Sequence, residues 1–169
     1  MSRPDAAPAP LGDASPYRFA VIVSRFNAAI TGSLRDAAVR ALGEAGAEAA
    51  NVQVFDVPGA YELPQAARAA AESGAFDAIV CLGCVIRGET PHFDYISSAV
   101  AHGITAAAGD TGVPMAFGVL TTDTLAQAEA RAGAGRDNKG REAAAAAIEM
   151  AALYKRLSTL PSRVTGFRA

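Results

Sequence analysis

Four short apolar runs punctuate the chain: RFAVIVS (18–24), NVQVFDV (51–57), DAIVCLGCVI (77–86) and VPMAFGVL (113–120). Each is too short for a buried helix and is bounded by polar or turn residues, so each reads as a strand. The segments between them carry helical spacing instead. Leu34, Ala38, Ala41, Leu42 and Ala45 form one stripe that Gly46 ends. QAARAAAESG continues a turn at PGAYELP, and Ile96, Val100, Gly103 and Ile104 make the apolar face of a third helix. Thr90 and Pro91 read as its N-cap and first helical residue. Thr124 with Gln127 suggests a capping box ahead of TLAQAEARA, and REAAAAAIEMAALYKRL closes the chain as a long helix.

Apolar strands that alternate with helices build a parallel sheet covered on both faces. The expected fold is therefore α/β: a three-layer αβα sandwich on a four-stranded parallel sheet. Residues 17–158 read as a single domain. Residues 1–16, rich in Pro and Ala, read as a loose N-terminal tail, and residues 159–169 as a C-terminal one.

At 169 residues, 51% of them hydrophobic, the chain has enough apolar surface for a buried core. Its net charge is −2, and no stretch interleaves clustered Lys and Arg with aromatics, which argues against nucleic acid as a partner. No apolar run approaches the roughly 18 residues that span a bilayer. MSRPDAAPAPLGDASP lacks the apolar segment of a secretory signal, so the cytoplasm is the expected location and no membrane association is expected. Cys81 and Cys84 make a CxxC, but on a strand two residues three apart point to opposite faces. They read as buried small hydrophobes, not as a redox or metal pair.

In sheets of this kind ligands bind just beyond the carboxyl ends of the strands. The ends are SRFN, VPGAYE, VIRGETPH and FGVLTT. Phe26, in the first, would stack on a flat heterocycle or else cap the core. Glu62, in the second, would accept bonds from ligand hydroxyls or else complement a helix N-terminus. Gly88, Glu89 and Thr90 lead into a helix whose first N–H groups lack partners, a place that accepts phosphate. His92 falls in the first turn of that helix, where the dipole disfavours an imidazolium; a neutral ring there can take a proton and return it. The alternative is an exposed histidine at a loop edge. His102, deeper in the same helix, carries no comparable signal. Arg131 near a helix C-terminus is comfortably placed, whereas Lys139 near a helix N-terminus is mildly misplaced, which hints at a role.

SRFNAAIT, VPGAYELP, GCVIRGETPHFDY, FGVLTTDT, RAG and NKG, in this order and spacing, closely resemble the lumazine synthase (6,7-dimethyl-8-ribityllumazine synthase) family from about Tyr17 to Leu157. The resemblance implies a flavodoxin-like sheet and a transferase of riboflavin biosynthesis. Its reaction would be the condensation of 5-amino-6-(D-ribitylamino)uracil with 3,4-dihydroxy-2-butanone 4-phosphate, with no metal or organic cofactor. By the same resemblance Phe26 stacks on the pyrimidinedione. Ala60, Tyr61 and Glu62 match the segment that holds this substrate, with Glu62 facing the ribityl hydroxyls, and Cys84, Val85 and Ile86 bind the uracil ring. Gly88, Glu89 and Thr90 form the phosphate loop, and His92 transfers protons. Phe117, Arg131 and Lys139 arrive from the neighbouring subunit, Arg131 on the phosphate. The family's basic unit is a homopentamer, and some members build decamers or sixty-subunit icosahedral shells. Many shell-formers carry GTKAGNKG where this chain has GAGRDNKG, with Gly135 in place of Lys and Asp137 in place of Gly. The pentamer is therefore the expected assembly, the decamer and the icosahedral 60-mer the larger alternatives, and riboflavin synthase a candidate partner. Two rival readings remain: a flavin-binding electron carrier, and a pentameric paralogue that serves as a scaffold.

Overall fold

Each of the four apolar runs forms a strand: β1 Phe19–Ser24, β2 Val52–Val57, β3 Ala78–Ile86 and β4 Met115–Thr122. In this computed structural model, which describes residues 10–161, all pair in parallel in the order β2-β1-β3-β4. Five helices connect and close them: α1 Ala28–Glu44, α2 Leu63–Glu72, α3 His92–Thr111, α4 Leu125–Arg131 and α5 Lys139–Ser158. The expected α/β sandwich with a four-stranded parallel sheet is what forms.

The layering follows from side-chain alternation along the two central strands. Phe19, Val21 and Val23 of β1, with Ala78, Val80, Leu82 and Cys84 of β3, pack beneath α1 and α5. Ala20 and Ile22, with Ile79 and Cys81, pack on the other face against α2 and α3. Cys81 and Cys84 therefore belong to opposite cores, as their spacing dictates. Burial pushes the Cys81 thiol up to about 12 and the Cys84 thiol to about 11, so both stay protonated at neutral pH.

Four of the boundary differences from the sequence reading have a plain physical reason. Strand four, expected over 113–120, begins and ends two residues later. Its ladder with β3 runs from Ile79↔Met115 to Ile86↔Thr122, and Pro114, which has no N–H, contributes only its carbonyl, accepting from the Ile79 N–H at 2.9 Å. α3 starts at His92 with Pro91 as the cap residue; the Pro91 carbonyl accepts the Asp94 N–H at 3.0 Å and the Thr90 side chain makes no capping bond. α5 starts at Lys139 because the Asn138 side chain accepts the Gly140 N–H at 2.8 Å. Finally, the loose N-terminal tail does not extend to Pro16. Ala14 is fully buried and donates to the Ala45 carbonyl at 2.8 Å, and Leu11 packs against the α1/α5 core. The rest of the tail reading, at residues 1–9 and 162–169, falls outside the described residues.

The α4 cap holds as expected, with Thr124 Oγ1 accepting the Gln127 N–H at 3.2 Å. The Gln127 side chain returns to the N–H of Asp123 at 2.9 Å, one residue earlier than a strict box.

α1 and α5 cross closely at Gly140, which is buried and where a Cβ would run into the Leu34 carbonyl and its neighbouring backbone atoms. Backbone cannot rotate away as a side chain can. Gly140→Ala should therefore cost about 3 kcal/mol, the upper end for overpacking, and lower the melting temperature by roughly 6–12 °C. A variant that melts with the parent would contradict this close crossing.

Candidate active site

Three strand ends converge on one crevice. α1, which follows β1, leaves for one face of the sheet, while α3, which follows β3, leaves for the other. The gap between adjacent strands whose helices diverge in this way is where a doubly wound sheet opens to a ligand. A cavity of about 310 Å³ lies here, walled by Phe26 after β1, by Gly59, Ala60 and Tyr61 after β2, and by residues of the end of β3 and the start of α3, from Cys84 to Ile86 and beyond.

The β1 turn is fixed by Asn27. Among the described residues it is the only non-glycine with positive φ, at 59°, a conformation that Asn tolerates better than most. Its Nδ2 donates to the Cys84 carbonyl at 2.9 Å, tying the turn to β3. Its own carbonyl accepts the Ile30 and Thr31 N–H groups at 2.9 and 3.0 Å and so starts α1. This geometry turns Phe26 outward, 70% exposed, onto the cavity wall. Of its two readings, the core cap is excluded and the free aromatic face is what the fold provides.

After β2 the chain makes a short 3-10 turn, Ala60–Glu62, before α2. Ala60 is buried and Tyr61 half exposed; both border the cavity. Glu62 occupies the cap position of α2 without making a capping hydrogen bond, and it does not border the cavity. A Cβ on Gly59 would come within 3.1 Å of its carboxylate oxygen, so the side chain folds back over the turn.

β3 outruns β1. Their pairing stops at Val23↔Leu82, whereas β4 follows β3 to Ile86. Cys84, Val85 and Ile86 thus border the cavity on a side where no strand covers them. Gly88, Thr90 and His92 continue the wall up to the N-terminus of α3, while Glu89 is exposed and stands outside it. Phe93 and Ile96 complete the wall from the first two turns of α3.

Phe117, Arg131 and Lys139 do not reach this cavity within one chain. They border a second, of about 330 Å³, with Glu142. The two cavities share no residue. Arg131 Nη1 donates to the Gln127 carbonyl at 2.9 Å. Lys139 Nζ contacts both Glu142 oxygens, at 2.6 and 2.7 Å. The awkward placement of a lysine at a helix start is thereby answered by an acid in the same turn. Sequence reasoning missed Asn27, Phe93 and Glu142. Glu142, three residues after Lys139 on the same helix, was open to an i,i+3 search; the other two become evident only once the strand ends are assembled.

A sequence model described as 6,7-dimethyl-8-ribityllumazine synthase matches residues 16–155, which include both cavities. The chain belongs to this family. It is 54% identical over 140 residues to the 6,7-dimethyl-8-ribityllumazine synthase of Syntrophus aciditrophicus (strain SB), covering 83% of this chain and 91% of that protein. It is 52% identical over 141 residues to the protein of the same name from Salinibacter ruber (strain DSM 13855 / M31), covering 83% and 90%. Membership in the lumazine synthase family agrees with the parallel α/β sandwich expected from the strand and helix pattern.

Asn27→Ala should lose a hydrogen bond and also strain the left-handed turn, at a cost of about 2–3 kcal/mol. Asn27→Gly should lose only the bond, about 1 kcal/mol. Urea unfolding of the two variants reads the difference; equal losses would mean that the backbone at Asn27 carries no strain.

Proposed function

We propose that the chain condenses 5-amino-6-(D-ribitylamino)uracil with 3,4-dihydroxy-2-butanone 4-phosphate, giving 6,7-dimethyl-8-ribityllumazine, phosphate and water, the penultimate step of riboflavin biosynthesis. The observation that carries this reading is the crevice itself. There an outward aromatic face, an uncovered strand end and a helix N-terminus meet in one cavity.

The chemistry asks for what these groups supply. Phe26 offers a stacking face for the pyrimidinedione and Cys84–Ile86 a backbone edge for its polar atoms. Ala60 and Tyr61 hold the same substrate at the cavity wall, and Glu62, beside them, serves the ribityl hydroxyls. The 5-amino group attacks the ketone and water leaves, forming an imine. A proton is lost beside it, phosphate departs from the terminal carbon, and the resulting enol becomes a carbonyl. The ribityl-bearing nitrogen attacks that carbonyl, and a second water leaves as the ring closes. Every step is an addition of a substrate nitrogen to a carbonyl, a proton transfer or a loss of water or phosphate, so positioned reactants and a proton carrier suffice. His92 at the mouth of the cavity is the carrier. Gly88, Glu89, Thr90 and the start of α3 hold the phosphate, whose growing charge Arg131 stabilises.

Arg131 does this from a neighbouring copy, together with Phe117 and Lys139. Support comes from the separation of the two cavities within one chain and from the apolar side chains left on the surface, Phe117 at 46% and Phe55 at 41% exposed among them. We take the assembly to be a homopentamer, with riboflavin synthase, which consumes the product, as a candidate partner. No described helix is long and apolar enough to cross a membrane. We assign the protein to the cytoplasm.

Mixing the two substrates with purified protein and following the lumazine by absorbance tests the reaction. His92→Ala should lower turnover about tenfold or more, and Arg131→Ala about a hundredfold, with the fold intact. Co-expressing the two variants in equal amounts should restore about a quarter of wild-type turnover, because a quarter of random neighbour pairs join an intact His92 to an intact Arg131. No recovery would place both residues in one chain's site; no turnover by the folded wild type would refute the reaction.

A further inference from the structure

Behind the cavity, outside its wall, lies a side chain to which the reaction assigns no role. Arg87 follows β3 directly, and its N–H extends the ladder to the Thr122 carbonyl at 2.9 Å. Its guanidinium lies between two carboxylates. Nη1 and Nη2 donate to Asp94 Oδ2 and Oδ1 at 3.1 and 3.0 Å, a two-pronged contact with the first turn of α3. Nε donates to Asp123 Oδ1 at 2.8 Å, just past the end of β4. The same guanidinium lies 4.2 Å from the centre of the Phe93 ring, and Phe93 walls the cavity. One planar group thus joins the end of β3, the end of β4 and the start of α3.

What lies between these anchor points is the Gly88–Pro91 turn, and after it His92. α3 begins without a side-chain cap, so nothing of that kind fixes the turn locally. Arg87, Asp94 and Asp123 are 43%, 57% and 66% exposed, and ion pairs this open to solvent add little to global stability. A guanidinium with separate donors for two carboxylates and a flat face for a ring defines an orientation; a lysine ammonium, a single mobile charge, would not.

We propose that Arg87 is a positioning residue: through Asp94, Asp123 and Phe93 it sets the Gly88–Pro91 turn and His92 against the cavity, and it matters more for the phosphate-bearing substrate than for the uracil. The role in turnover rests on the reading of this cavity as the condensation site. The hold on His92 does not.

The test uses the whole protein with Arg87→Ala and Arg87→Lys. In Arg87→Ala the KM for the butanone phosphate should rise about tenfold, with the KM for the ribitylaminouracil moving less than about twofold. The melting temperature should stay within about 3 °C of the parent. Arg87→Lys should recover only part of the loss, and Asp94→Asn added to Arg87→Ala should make it no worse, as expected of two halves of one contact. Equal KM changes for both substrates, or a large fall in melting temperature, would overturn the proposal in favour of a merely structural role. A second readout needs no turnover. The chain has two histidines, so ¹⁵N-histidine labelling gives two sets of ring signals. Arg87→Ala should move the His92 signals and leave His102 in place. Should the wild type fail to turn over the substrates, the reading of the site falls, and the His92 signals still decide: if they do not move, Arg87 does not position that ring.

Discussion

The crevice depends on a mismatch in strand length. β3 continues past the point where β1 turns away, and the exposed step is bridged by a single side-chain amide, that of Asn27, on the Cys84 carbonyl. The bridge holds the β1 turn against β3 in a conformation that costs Asn little. It also leaves Phe26 facing outward and the strand end uncovered. Had β1 kept pace with β3, the ladder would have used those backbone groups and no ligand edge would remain. The helices then separate because α1 and α3 cover opposite faces, and the gap between them is the cavity.

The remaining chemistry is distributed by charge. A helix N-terminus invites anions, and α3 presents its own beside Gly88 and Thr90 at the cavity wall. The cations proposed to complement it, Arg131 and Lys139, lie at the end of α4 and the start of α5, around the other cavity. Within a single chain the two sets have no residue in common, which is the observation behind the proposed association of copies. Glu142 holds the Lys139 ammonium in place at a helix start that would otherwise disfavour it. Arg87 has the corresponding task on the first half, with Asp94 and Asp123 as its carboxylates.

Much of this was legible in the chain. The four apolar runs gave the strands because burial on both faces leaves a short continuous signal. Phe26, Gly88, Thr90 and His92 were singled out because the carboxyl-end rule points to sequence positions directly; they border one cavity, as do Ala60, Tyr61 and Cys84–Ile86, which only the family resemblance named. The departures arise where the deciding partner is distant in sequence. Asn27 looks like any polar loop residue until Cys84, 57 residues on, is beside it. Ala14 reads as part of a loose tail until the end of α1 offers it a carbonyl. β4 continues to Thr122, two residues past the expected end, because β3 is there to pair with, which no periodicity within β4 announces. Thr90 has the composition of a cap but not the role, since Pro91 and its carbonyl open the helix instead.

The central claim is that two half-sites on one chain become one site between neighbours. The most direct measurement is an experimental structure of the assembled protein with the ribitylaminouracil and inorganic phosphate bound. The account predicts the uracil ring stacked on Phe26 against Cys84–Ile86, and the phosphate held between the Gly88–Thr90 turn of one copy and Arg131 of the next. Phosphate bound by Arg131 and the turn of the same copy, or a uracil lodged away from Phe26, would contradict it.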